Sequence, residues 1–209
     1  MSLGRVGVIG RWKPLHNGAA AMLESICSQA EHVLVGIGSS NTNGTVQKYN
    51  RRNPFTPRET KDMIDLLLQP RFTNYETLFI PDYGHQPECR DGQKWREHVV
   101  SAYGSLDHFI TSNPYVATLL KDDYDIIHPG TIVPRSLWTR LRATEVRIAM
   151  AKGEGWRELV PGPVAAYLKT NHLVKRFREE FGLETIMLLG TDYSREESPH
   201  EEKLHTYEK

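Results

Sequence analysis

The opening of the chain places a helical pattern between two short apolar runs, and this order constrains the fold more than any other feature. Residues 5–9 and 33–38 are rich in valine and isoleucine, which favour β-strands. Between them, Leu23, Ile26 and Cys27 have the three- and four-residue spacing of one helical face. A strand, a helix and a second strand in this order predict a βαβ unit with parallel strands.

Three more apolar runs are candidate strands, at residues 77–80, 108–111 and 125–127. Strands that are apolar without alternation are typical of parallel sheets, because helices bury such sheets on both faces. The sequence therefore predicts an α/β fold with a Rossmann-like parallel sheet of five strands and helices on both faces.

Helix starts and the C-terminal composition complete the predicted organisation. Thr56 begins a capping-box pattern ahead of a proline, and Asn113 is a second cap candidate directly before a proline. Residues 161–181 are typical of two C-terminal helices. Residues 191–209 are too polar and charged to bury much surface. We therefore expect one domain over residues 1–190, followed by a polar tail over residues 191–209.

The overall composition narrows the classes of partner. Lysine plus arginine and aspartate plus glutamate both number 26, so no global charge attracts nucleic acid or a membrane surface. The two cysteines, Cys27 and Cys89, have neither the spacing of a metal site nor that of a disulfide framework. Apolar runs stay shorter than the ~20 residues that span a bilayer. We expect a cytoplasmic protein that binds small molecules.

The loop after the first strand, residues 10–18, has the features of a phosphate site. A strand, a glycine-containing turn and a helix start direct backbone N–H groups towards a bound anion, and Arg11, Lys13 and His16 add cationic donors. The glycines before and in this turn have GxxGxxG spacing, which differs from the GxGxxG of dinucleotide-binding folds. Residues 38–44 lack the lysine and spacing of a P-loop.

Several segments resemble one family in order along the chain. The first motif, residues 10–18 (GRWKPLHNG), resembles the GRFxPxHxGH motif of HxGH nucleotidyltransferases. The second motif, residues 141–147 (LRATEVR), resembles their ISSTxVR or ISGTxVR segment. Residues 52–56 (RNPFT) resemble the RDPFTxxER segment of archaeal nicotinamide-nucleotide adenylyltransferases. Residues 112–114 (SNP) and 155–161 (GWRELVP) are also similar to that subfamily. The resemblance extends over roughly residues 5–170.

The resemblance implies an enzyme that joins ATP to nicotinamide mononucleotide (NMN), giving NAD and pyrophosphate. It also implies Mg²⁺ bound with ATP and assembly into homo-oligomers; the sequence predicts no metal site made by the protein itself. The implied catalytic residues are His16, Lys13 and Arg147. The implied ATP-binding residues are Gly10, Arg11, His16, Gly18, Asn113, Thr144 and Arg147, and the implied acceptor-binding residues are Arg52, Trp95 and Asp82.

Three of these residues have an ordinary structural interpretation as well. Trp95 fits a core-facing helical stripe as well as it fits a ring that stacks on nicotinamide. Asn113 is at least a helix cap, and Asp82 follows a strand that it could simply terminate.

One position departs from the family motif. Ala19 stands where the pattern has its second histidine, which removes a donor to the phosphates. Two alternatives to NMN adenylyltransferase activity accompany the main prediction, the first because relatives of this fold use other acceptors and the second because of Ala19. One keeps the reaction with another acceptor, namely nicotinate mononucleotide, FMN or phosphopantetheine, and the other is a nucleotide-binding sensor with little turnover.

Overall fold

Five strands form one parallel sheet in the computed structural model, which describes residues 2–83 and 92–188. Their order across the sheet is β3-β2-β1-β4-β5. All five predicted strands are confirmed, with ends that differ from the predicted ones by at most two residues. The tail predicted over residues 191–209 and Cys89 lie outside the described residues. The strands are β1 (Arg5–Gly10), β2 (His32–Gly38), β3 (Tyr75–Ile80), β4 (His108–Ile110) and β5 (Asp125–Ile127).

Helices connect the strands and continue beyond the last one. Within the described residues, none of them is long and apolar enough to cross a bilayer. The helices are α1 (Asn17–Cys27), α2 (Pro57–Leu68), α3 (Gln93–Tyr103), α4 (Pro114–Leu120), α5 (Ala143–Lys152), α6 (Gly162–Thr170), α7 (Leu173–Phe177) and α8 (Leu183–Met187).

Side chains of the sheet point alternately into two hydrophobic cores. In β2, Val33, Val35 and Ile37 enter the core that α1 and α2 cover, whereas Leu34 enters the core formed with α3 and α4. Successive residues of a strand face opposite sides, so a strand without polar alternation requires a helical layer on each side. The prediction of helices on both faces is confirmed.

The strand order creates a crevice at one edge of the sheet. The chain moves outward from β1 to β2 and β3, and then returns to place β4 on the other side of β1. Because all pairings are parallel, the carboxyl ends of the strands lie at the same edge. Open α/β sheets bind ligands where the strand order reverses, which is here between β1 and β4. Gly10 ends β1 and Ile110 ends β4 at this crevice.

The predicted helix starts are confirmed by hydrogen bonds. Thr56 Oγ1 accepts from the Glu59 N–H at 3.1 Å, and Glu59 Oε2 accepts from the Thr56 N–H at 2.8 Å. Asn113 Oδ1 accepts from the Tyr115 N–H at 2.9 Å. These side chains satisfy N–H groups that the first turn of a helix leaves without partners.

The C-terminal region contains one more helix than the sequence predicts. After α6 and α7, a π-helical turn over Arg178–Gly182 leads into α8. Helix α8 leaves Leu183 and Met187 largely exposed, so it lacks the buried stripe by which the other helices are recognised in sequence. Phe177 of α7 is buried in the same core as α1 and α2, and the C-terminal helices thus extend the sheet's main core.

Candidate active site

The loop after β1 is held in a strained conformation by Trp12. This residue has a left-handed φ of 55°, and its indole N–H donates to the Gly36 carbonyl oxygen at 2.8 Å. A Cβ atom at Gly10 would lie 2.7 Å from the Trp12 ring, so only glycine fits beneath it. Ser39, after β2, also has a left-handed φ, of 54°. Such strain in neighbouring loops concentrates at functional sites.

His16 is the N-cap of α1 and a neutral hydrogen-bond donor. Its Nδ1 accepts from the Ala19 N–H at 3.3 Å, which assigns the ring proton to Nε2. The pKa of His16 is lowered to about 4, mainly by burial; Glu145 opposes this shift, and the Arg147 charge contributes to it. Near neutral pH, His16 therefore presents an uncharged Nε2–H group.

Arg147 connects the second motif to the first. It is only 8% exposed, and its Nη1 donates to the main-chain carbonyl oxygen of Lys13 at 2.8 Å. Its Nη2 donates to Thr144 Oγ1 at 3.1 Å, so the threonine orients the guanidinium. Helix α5 begins at Ala143, which places Thr144 inside its first turn. The predicted convergence of the two motifs is therefore present in the fold.

Lys13 is almost completely buried, with 1% of its surface exposed. Its ammonium group donates to Asn53 Oδ1. Burial and the Arg11 charge lower the pKa of Lys13 to about 7, and Glu59 opposes this shift. The lysine predicted from the first motif thus lies behind the loop, against the segment that carries RNPFT.

The segment before α5 packs on the first turn of α1. A Cβ atom at Gly18 would lie 2.7 Å from Thr139 Cγ2, so the absence of a side chain at Gly18 permits this approach. Ala19 is 6% exposed and belongs to the main hydrophobic core. The first turn of α1 is therefore enclosed on one side by the core and on the other by residues that lead into the second motif.

Arg11 and Arg52 follow β1 and β2 on the same edge of the sheet. Arg11 is exposed, and its Cγ lies 3.9 Å from the place of a Cβ at Gly38. Arg52 is half-buried in a turn in which its N–H donates to Asn50 Oδ1 at 2.9 Å. Both arginines are on the loops where a phosphate ligand is expected.

The three residues predicted for the nucleoside ends lie farther out. Asp82 is exposed beyond β3, where its Oδ2 accepts from Ser39 Oγ at 3.4 Å. Trp95 is half-buried and packs on the core of α3 and α4. Asn113 uses its side-chain oxygen to cap α4. The packing and capping interpretations of Trp95 and Asn113 are thus confirmed, and their contacts with ligand remain predictions.

Sequence reasoning gave no role to Asn53 or Arg176. Asn53 is 4% exposed and accepts the Lys13 hydrogen bond. Arg176 of α7 donates to both carboxylate oxygens of Glu59, at 2.7 and 2.8 Å, and to the Pro54 carbonyl oxygen at 3.1 Å. The signal for Asn53 was its place in RNPFT; Arg176 lies in no motif.

Comparisons with known proteins identify the family. The chain is 34% identical to a nicotinamide-nucleotide adenylyltransferase of Thermococcus kodakarensis over 88% of its own length and 87% of that protein. A protein of the same name from Pyrococcus horikoshii is 32% identical over 81% of this chain and 85% of its own length. A scan against protein-family models finds no match.

A solved structure shares the fold. It is a bifunctional NMN adenylyltransferase/ADP ribose pyrophosphatase from Francisella tularensis, complexed with AMP and a manganese ion. The TM-score is 0.64 at 19% identity, over 91% of this chain and 57% of that one. This chain therefore spans a little over half of the bifunctional protein. From its archaeal relatives and their extensive coverage, we conclude that the chain belongs to the nicotinamide-nucleotide adenylyltransferase family.

Proposed function

We propose that the chain transfers AMP from ATP to NMN, giving NAD and pyrophosphate. The observation that carries this proposal is the hydrogen bond from Arg147 to the Lys13 carbonyl, which unites the two motif segments beside His16. The archaeal relatives are named for this activity, and the positions that the family motifs share with this chain are the ones that meet here.

In the proposed reaction, a phosphate oxygen of NMN attacks the α-phosphorus of ATP. A new P–O bond forms, the bond from the α-phosphorus to the bridging oxygen breaks, and pyrophosphate leaves with the electron pair. Positioning and charge neutralisation supply most of the catalysis in such a transfer. The Nε2–H of His16 would donate to a phosphate oxygen, and Arg147 would hold the same triphosphate from the other motif.

The remaining predicted residues have roles that depend on bound ligand. Arg11 and Arg52 would contact phosphates from the loops after β1 and β2. Backbone N–H groups at Gly18 and Thr144, each in the first turn of a helix, would add donors. At the ends of the dinucleotide, Asn113 would contact the adenosine half, whereas Trp95 and Asp82 would contact NMN.

Magnesium fits this site as an ion carried by ATP. Among residues 2–83 and 92–188, no three histidine, cysteine or acidic side chains are grouped as metal ligands. Mg²⁺ commonly keeps several waters and binds substrate phosphates, which suits a site rich in cationic donors. When bound, the ion would neutralise charge on the phosphates. The chain itself would hold the complex through His16 and Arg147.

The proposal is tested by supplying purified protein with ATP, Mg²⁺ and NMN, and measuring NAD and pyrophosphate. Both products should form in equal amounts, and neither should form when NMN is omitted. Acceptor choice is measured by parallel assays in which NMN is replaced by nicotinate mononucleotide, FMN or phosphopantetheine. Transfer of AMP to one of these acceptors at a higher kcat/KM than to NMN would contradict the choice of NMN. The proposal also includes a cytoplasmic location and assembly into a homo-oligomer. Light scattering can determine the mass of this oligomer in solution.

A further inference from the structure

Lys13 has an unusual partner for a buried ammonium group. Its Nζ donates to the amide oxygen of Asn53, a neutral acceptor, and both residues are at most 4% exposed. The nearby acidic residue Glu59 receives two hydrogen bonds from Arg176. The carboxylate whose charge acts on Lys13 is therefore already paired with another cation, and Arg11 adds a further positive charge.

The orientation of the Asn53 side chain is determined by its other contacts. Its Nδ2 donates to the Lys48 carbonyl oxygen at 2.8 Å and to the Ser39 carbonyl oxygen at 3.3 Å. Carbonyl oxygens accept only, so the amide nitrogen must face them and the amide oxygen must face Lys13. The Asn53 N–H donates to the Asn50 carbonyl oxygen at 2.9 Å, which fixes the backbone as well.

A neutral acceptor and a carboxylate would treat Lys13 differently. An amide oxygen orients the ammonium group by one hydrogen bond and leaves its full charge to act on other groups. A carboxylate would form a buried ion pair, cancel that charge and raise the pKa of the lysine. The observed arrangement therefore preserves a surplus of positive charge behind the loop that carries His16.

We propose that Asn53 is a positioning residue, whose neutral amide holds the Lys13 ammonium beside the phosphate loop and leaves its charge available to an incoming triphosphate. This inference rests on the proposed function in one respect, namely that the loop binds the triphosphate of ATP. It adds a specific residue and a specific reason for its amide.

The arrangement has a consequence for pH dependence. The charged groups that act on Lys13 are Arg11 and Glu59, the latter held by Arg176, while Arg147 contacts its main chain. Because burial lowers the pKa of Lys13 to about 7, the unliganded protein carries this charge below pH 7 and loses it above. Triphosphate affinity should therefore be highest near pH 6 and decline as pH rises through 7, by about tenfold in total.

The test uses calorimetric binding of inorganic tripolyphosphate to the full chain between pH 6 and pH 9. Lys13→Met should bind about tenfold more weakly at pH 6 and lose the decline above pH 7. Asn53→Asp should bind more weakly at pH 6 and move the decline to higher pH, because a carboxylate keeps the lysine protonated. Aspartate has the shape of asparagine and stands at this place in the RDPFTxxER pattern, but it cannot donate to the Lys48 and Ser39 carbonyl oxygens. Chemical denaturation of the same variant measures the effect of losing those two bonds.

Asn43→Asp is the matched control, since it adds the same charge to the same loop. Asn43 is exposed and its Oδ1 accepts from the Thr45 N–H at 3.0 Å, a bond that aspartate keeps. This variant should bind tripolyphosphate with the wild-type pH profile. If Asn53→Asp also behaves like wild type, or if Lys13→Met keeps the decline above pH 7, the inference is wrong.

A second measurement does not depend on whether a variant at position 53 folds. In protein with ¹³C-labelled lysine side chains, one signal should titrate near pH 7, shift to higher pH with tripolyphosphate and be missing from Lys13→Met. Absence of such a signal would overturn the inference. If these results hold while no NAD is formed from ATP and NMN, the proposed function is wrong and the role of Asn53 stands. If NAD is formed normally while Asn53→Asp has the wild-type pH profile, the proposed function stands and the role of Asn53 is wrong.

Discussion

Arg147 donates a hydrogen bond to the main-chain carbonyl oxygen of Lys13 at 2.8 Å, across a sequence separation of 134 residues. The bond is buried, and it fixes the start of α5 against the loop that follows β1. His16 lies close enough for the Arg147 charge to lower its pKa. A change in the second motif should therefore affect both the stability of the first motif and its use of phosphate.

Arg147→Lys tests this double role. Lysine retains the charge but lacks the planar fork that reaches both Lys13 and Thr144. We expect a loss of about 1–3 kcal/mol in the free energy of unfolding, because a buried carbonyl loses its donor. We also expect kcat to fall by about 10²–10³. Chemical denaturation and steady-state kinetics measure the two effects, with Arg58→Lys on the exposed surface of α2 as control. Wild-type values for both would contradict the assigned role.

His16→Asn separates the capping role of His16 from its donor role. Asparagine is a good N-cap, so stability at pH 8 should change little. Because the folded-state pKa of about 4 lies below the usual 6.5, the unfolded chain binds the extra proton between these values. Stability should therefore fall on acidification from pH 6.5 to pH 4, with a contribution of about 1.4 kcal/mol per pH unit from this group. The difference between wild type and variant isolates that contribution, and identical pH profiles would refute it.

Gly18→Ala should disturb catalysis through Thr139. The new Cβ would lie 2.7 Å from Thr139 Cγ2 and push the segment before α5 away from α1. Turnover should fall by about tenfold or more, as expected when a phosphate site is displaced by a fraction of an ångström. Thr139→Ser removes the offending methyl and keeps the hydroxyl that accepts from the Leu141 N–H at 3.1 Å. The double variant should recover activity; a double variant as slow as Gly18→Ala alone would exclude this contact as the cause.

Arg176→Met should loosen the segment that carries Asn53. It removes the cationic partner of the Glu59 carboxylate and the donor to the Pro54 carbonyl. These groups are partly buried, so we expect a loss of about 1–3 kcal/mol in the free energy of unfolding. Adding Glu59→Gln should restore part of this loss by removing the unpaired charge. A double-mutant cycle measures the coupling, and additive effects would show that the pair does not act together.

Ala19→His tests the departure from the family motif. Ala19 is 6% exposed in the main core, so a larger side chain there should cost about 1–3 kcal/mol of stability. If the imidazole reaches the phosphates, kcat for NAD formation should rise by at least tenfold. Thermal unfolding and kinetics on the same samples report both quantities. An unchanged or lower kcat would show that the natural site does not need this donor.

The sheet and the pairing of the motifs could be predicted because each depends on local sequence. Val33, Val35 and Ile37 belong to a short apolar run, and such runs are typical of strands buried on both faces. Each motif is recognisable from its own residues by comparison with the family pattern, and the bond between Arg147 and Lys13 confirms that the two motifs meet.

Contacts between distant side chains could not be predicted in this way. The bonds from Lys13 to Asn53 and from Arg176 to Glu59 join residues 40 and 117 positions apart, and no periodicity marks such pairs. Helix α8 was missed because Leu183 and Met187 stay exposed, so it has no buried stripe. The sequence predicts that Lys13 contacts the ATP phosphates directly, as one of several cationic donors in the loop. In the structure its side chain is buried rather than extended into the crevice.

We expect the two motif segments to bind one triphosphate between them, and a crystal structure with a non-hydrolysable ATP analogue tests this expectation. Phosphate oxygens should lie within hydrogen-bond distance of both His16 Nε2 and the first turn of α5, at the crevice between β1 and β4. A triphosphate bound elsewhere, or one that contacts only one of the two segments, would contradict it.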